Sequence, residues 1–179
     1  MAVGQSIVTI NRAPVLTLWA AVVAERLGFD PDTALTLGKV LAGLNAQAKG
    51  RSLGIFKPPK LAGEAPPKKH GLGEELWIDL CGRAVPAKNT ADGIRAVVKD
   101  ALVDPAAVRR YLDKAFADRL RDTRQAMQQL AQAYEPEALA EVAFRLYERF
   151  RPQIAAGQRG WGQKGELDLG QIVALARRA

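Results

Sequence analysis

The chain has one cysteine and one histidine in 179 residues. A lone thiol, Cys81, makes no internal disulfide, so nothing in the cysteine usage points to an oxidising compartment, and a cytoplasmic setting is expected. Zinc needs several Cys or His ligands at set spacing, and His70 and Cys81, eleven positions apart, do not supply them. Catalysis that runs through histidine has only His70 to draw on, in a segment of prolines and lysines where no rigid element orients it. Cys81 has no histidine placed to activate it and reads as a packed thiol. No apolar run approaches the roughly 20 residues of a membrane span, so no membrane partner is expected. The most apolar run, 13–24 (APVLTLWAAVVA), follows a single basic residue, Arg12, and ends in Glu25 and Arg26 at helical spacing. It reads as a buried helix rather than a secretory leader.

Convergent carboxylates are missing as well. Glu74 and Glu75 adjoin a strand pattern that carries Asp79, but neighbouring strand residues point to opposite faces. The glycine-rich stretch 157–165 (GQRGWGQKG) matches neither the phosphate-loop spacing nor the dinucleotide fingerprint. The expectation is a protein that is not an enzyme and carries no cofactor or metal.

Positive charge, by contrast, is plentiful, with a net +7. Residues 1–48 hold three basic and three acidic side chains, residues 71–179 hold seventeen against fifteen, and the short stretch 49–70 holds six against one. Those six are Lys49, Arg51, Lys57, Lys60, Lys68 and Lys69. Within 57–73 (KPPKLAGEAPPKKHGLG) four prolines and three glycines exclude a helix or a central strand. The segment reads as an exposed basic arm or linker. Held extended, such an arm can track a phosphate backbone and release counterions; the plainer alternative is a solvated linker. The excess of cations favours acidic partners, nucleic acid first.

The remaining punctuation is mostly helical. Ser6–Ile10 alternates like a short strand. Pro14 opens a helix that runs to about Leu27, and Gly28 ends it. Asp30 and Pro31 form a cap-plus-proline start for a second helix reaching Lys49. Leu76–Leu80 alternates like a half-buried strand, with a second strand near 84–87, while Ile94–Val98 fits either a strand or a helical turn. Asp104 and Pro105 open a long helical pattern with room for a break near Phe116–Arg119, and Glu135 and Pro136 open another that Pro152 stops. Asp168 is placed to cap a last short helix. The expected fold is mainly α: a bundle of five or six helices with a small β-hairpin or short sheet inserted around residues 75–98. The expected organisation is a helical hairpin over 1–56, the basic arm over 57–73, and a β element plus helical region over 74–179, which together can form one compact domain.

Two further features bear on nucleic acid. Ala24, Gly28, Ala34 and Leu37 fall at offsets suited to a helix-turn-helix, whose second helix would show Thr33, Thr36 and Lys39 on its outer face. Against this, Asp30 and Asp32 stand at the end that should approach phosphates, and a plain helical hairpin accounts for the same pattern. On the helix opened by Pro105, Arg110, Lys114, Arg121 and Arg124 project from one flank as a basic ridge or as an ordinary solvated face. Trp161, between Arg159 and Lys164, reads as an anchor for its loop or as a base-stacking side chain. The sequence leads to a nucleic-acid-binding or regulatory protein, or to a helical protein-interaction or scaffold module that self-associates through the small-residue face of the second helix.

Overall fold

The computed structural model describes residues 6–52, 75–153 and 164–179. In chain order these form β1 (Ile7–Ile10), α1 (Arg12–Arg26), α2 (Pro31–Ser52), β2 (Glu75–Leu80), β3 (Arg83–Thr90), β4 (Gly93–Val98), β5 (Ala101–Leu102), α3 (Pro105–Phe116), α4 (Leu120–Gln132), α5 (Pro136–Phe150), β6 (Gly165–Asp168) and α6 (Leu169–Arg177).

Helix α1 is buried on every side from Pro14 to Ala24. A helix apolar all round requires neighbours all round, and α2, α4 and α5 pack against it. Gly28 makes the turn into α2 at φ +110°, a conformation that glycine adopts without strain. Asp30 then caps α2, its carboxylate accepting from the Thr33 amide at 2.8 Å. Gly38 lets α1 and α2 approach closely: a Cβ there would collide with the Thr17 carbonyl oxygen and stand 3.1 Å from the Ala21 nitrogen.

Strands β2 to β5 form an antiparallel meander in that order. Cys81 and Gly82 turn β2 into β3 with φ of 49° and 77°, and Lys99 and Asp100 turn β4 into β5 with φ of 49° and 66°. Pro86, which has no N–H to give, falls just beyond the β3–β4 ladder, whose last pair is Ala87 with Ala96. The sheet is stitched to α2 by threonines: Thr33 donates to the Ile94 carbonyl at 2.7 Å, and the Ala96 amide donates to Thr36 at 3.0 Å.

The second half wraps the other side of α1. Asp104 caps α3 by accepting from the Ala106 amide at 3.0 Å. A single 3-10 turn, Ala117–Arg119, separates α3 from α4, so the long periodic pattern does break where the sequence leaves room for it. Strand β6 returns to pair with β1, Val8 opposite Leu167, and Asp168 caps α6 by accepting from the Gly170 amide at 2.9 Å. One apolar cluster takes residues from β1, α1, α2, the meander and α3 to α6.

The architecture corrects the expected helical bundle with a small β insert. Among the described residues, six strands in two sheets make this a mixed α/β fold. The meander reaches Leu102, past the expected segment, and β1 pairs with a strand more than 150 residues away. That second sheet is invisible to local periodicity because its partner is set by how α1, α4 and α6 pack.

Candidate nucleic-acid interface

The first helical hairpin does not present the outer face expected of it. Thr33 and Thr36 are 2% and 0% exposed; both hydroxyls bond to the backbone of β4, and that of Thr36 also donates to the Thr33 carbonyl, so the α2 face that carries them is packed against the meander. Their placement on an outward reading face is thereby corrected: a threonine hydroxyl satisfies a strand backbone as readily as a base edge. Lys39 lies half-buried with its ammonium 3.8 Å from the centre of the Tyr111 ring, which joins α2 to α3. Burial pulls the Lys39 ammonium below its ordinary pKa and pushes the Tyr111 phenol above its own. The α2 N-terminus is engaged too, Asp30 in capping and Asp32 in a 2.7 Å ion pair with Arg109 of α3. Of the small residues of α2, Gly38 lies against α1, whereas Gly43 is exposed with nothing within 4 Å of its Cβ position.

Of the remaining candidate residues, Lys57, Lys60, Lys68 and Lys69 lie outside the described residues, as do Arg159, Trp161 and the side chains of Lys49 and Arg51. Arg110 and Lys114 are exposed on α3, whereas Arg121 and Arg124 come together on α4. They line one side of an open depression of about 650 Å³ with Gln125, Gln128, Asp118 and Leu120. Helix α4 buries Thr123, Ala126, Met127, Leu130 and Ala131. At about 100° per residue, Arg121, Gln125, Gln128 and Gln132 therefore form a stripe opposite the core, with Arg124 on its shoulder. No carboxylate stands on that stripe.

No family model, no curated protein and no solved structure matches the chain.

The electrostatics around α4 are mixed on one flank. Glu25 of α1 approaches Arg124; desolvation raises the Glu25 pKa, and the Arg124 charge works in the opposite direction. A smaller depression of about 270 Å³ runs between α1 and α4, lined by Glu25, Arg26, Gln128 and Gln132. Arg26 is tied down there, its guanidinium donating to the Tyr134 carbonyl at 3.0 and 3.3 Å. On the other flank, α4 and α6 enclose a depression of about 460 Å³ with an apolar floor including Ala126, Leu169 and Val173, and with Asp122, Gln129 and Arg177 at its rim. Helix α4 is thus a ridge between two hollows.

A second surface lies on the meander. Trp77, Val98 and Leu102 are the exposed large apolar residues among those described, at 40%, 46% and 50%. A cleft of about 240 Å³ beside Trp77 is lined by Pro86, Val97, Lys88 and Lys99, among others.

The Cys81 thiol is buried, and burial pushes its pKa up to about 12, away from the thiolate a nucleophile needs. No three His, Cys, Asp or Glu side chains cluster as metal ligands among the described residues, and no described helix is long and apolar enough to cross a membrane.

The glutamine stripe is the feature that sequence reading misses. Its signal is there, as glutamines at three- and four-residue spacing opposite the apolar positions, but attention to charge alone selects only the arginines. The exposure of Trp77, by contrast, follows the alternation of its strand, which sets Trp77 and Asp79 on the face opposite Leu76, Ile78 and Leu80.

Proposed function

We propose that this is a non-enzymatic nucleic-acid-binding protein whose contact surface is the exposed face of α4, with Arg110 and Lys114 of α3 and the basic 49–70 segment adding phosphate contacts. The observation that carries the reading is the convergence of Arg121, Arg124, Gln125 and Gln128 on one open hollow at the α3–α4 corner. Arginine forks pair with phosphate oxygens bidentately, and the net +7 charge favours a polyanion at long range. Helices α3 and α4 are joined by a three-residue turn, the connection length found in helix-turn-helix modules. A cytoplasmic setting accords with the single cysteine.

The test is fluorescence polarisation of a labelled duplex at two salt concentrations. Wild-type binding should weaken with salt by a slope of about −0.9 for each phosphate neutralised. Arg121→Ala with Arg124→Ala should lower affinity and flatten the slope by about two units, and changing Lys57, Lys60, Lys68 and Lys69 to Ala should flatten it further. Salt-independent binding, or none at low salt, refutes the reading.

A competing reading, a protein partner or a second copy docked on the meander, draws on the exposure of Trp77, Val98 and Leu102. Light scattering of wild type and Trp77→Ser distinguishes it: this reading requires a stable dimer or captured partner that the substitution disperses.

A further inference from the structure

We infer that α4 is a reading helix, entering the major groove of a nucleic-acid duplex so that Gln125 and Gln128 contact base edges while Arg121 and Arg124 hold the phosphates. This rests on the nucleic-acid reading above and adds to it a duplex substrate and two specificity-determining residues.

The shape comes first. A helix with its side chains is about 10–12 Å across, close to the roughly 12 Å width of the major groove of B-DNA. To enter, it must stand clear of its neighbours, with space for a phosphate strand on each side. The hollows flanking α4 provide that space, one against α1 with Glu25 and Arg26 in its lining and the other against α6 with Arg177 at its rim.

The choice of side chains comes second. A helix that only grips a polyanion gains from cations, because counterion release scales with phosphates neutralised. Amides add nothing to that term. The outward stripe nevertheless has glutamine at 125, 128 and 132 and a single cation, Arg121. A primary amide offers a donor and an acceptor side by side, which suits the adenine N6 and N7 positions in the major groove. Acidic groups lie off the crest: Asp118 precedes α4 and Asp122 stands in its first turn, where each opposes a phosphate at the helix N-terminus, and Glu25 faces Arg124 from α1. The stripe thus combines base-pairing side chains at its centre with arginines at its N-terminal half and shoulder.

The probe is a random-sequence DNA duplex library, selected by the full chain and sequenced, alongside polarisation on an unselected duplex and its single strand. Expected is an enriched motif containing adenine steps, with the duplex bound more tightly than the single strand. Gln125→Ala with Gln128→Ala should keep the salt slope on the unselected duplex, because amides neutralise no phosphate, while the preference for the enriched motif falls roughly tenfold or more. Because both glutamines are exposed, the variant should fold, and an unchanged circular-dichroism melt confirms it. Salt-dependent binding without an enriched motif, a motif that survives in the glutamine variant, or equal affinity for single strand and duplex overturns the reading helix and leaves the nucleic-acid reading standing. Loss of all salt-dependent binding in the wild type overturns both.

Discussion

The indole N–H of Trp19, at the centre of α1, donates to the Ala143 carbonyl of α5 at 2.9 Å, and the same ring meets Phe150 edge-on at 5.2 Å. One fully buried side chain thus fixes the angle between two helices through a hydrogen bond and an aromatic contact. Trp19→Phe removes the donor and part of the ring volume, which should cost about 2–3 kcal/mol. Urea denaturation checks this: the midpoint should fall while the slope of stability against denaturant stays the same.

Gly38 and Gly43 sit in one helix, yet the same substitution should act on them with opposite sign. Alanine is favoured over glycine by about 1 kcal/mol in a helix interior. Gly43 is exposed, and a Cβ added there would have nothing within 4 Å, so Gly43→Ala should stabilise by up to that amount. At Gly38 the Cβ would meet backbone of α1, which cannot swing aside as a side chain can. Gly38→Ala should therefore destabilise by about 1–3 kcal/mol despite its better propensity. A rise in melting temperature at position 38 would show that the two helices are not in such close contact.

Glu25 links stability to pH. Its folded pKa is raised by desolvation, with Arg124 opposing. A carboxyl whose folded pKa lies above the unfolded one favours the fold most when protonated. That contribution is present in full below the ordinary carboxylate range and is lost as pH rises through the raised folded value. Glu25→Gln, which stays neutral throughout, should raise the melting temperature at pH 7 and lose that advantage near pH 4. A melting temperature that falls at pH 7 would mean that the attraction to Arg124 outweighs desolvation.

Much of the helical framework is legible in the sequence because its signals are local. Asp104 with Pro105, Glu135 with Pro136 and Asp168 mark helix starts that the structure reproduces at Pro105, Pro136 and Leu169. Contact across long separations has no such signal. The same Thr33 and Thr36 that look like an outer reading face are buried because β4 arrives from sixty residues away to take their hydroxyls. Ile94–Val98 is ambiguous by pattern, and becomes a strand because β3 on one side and β5 on the other complete its ladder. The α4 stripe is half legible: the arginines stand out by charge, and the glutamines acquire meaning only once the hollows on both flanks are known.

The corner between α3 and α4 is strained at Ala117, which adopts φ 52° and ψ −128°. A Cβ makes this region costly, by about 1–3 kcal/mol, and glycine enters it freely. Ala117→Gly should relieve most of that strain and give back part of it through the greater freedom of the unfolded chain, for a net gain of about 1 kcal/mol. Ala117→Val, β-branched, should cost more than the alanine already does. The two substitutions also separate strain from function. Ala117 lines the α4 hollow without contributing a polar group, so the glycine variant should melt higher while binding duplex as the wild type does. A gain in stability accompanied by a tenfold loss of duplex affinity would mean that the alanine holds α4 at an angle that the relaxed corner abandons.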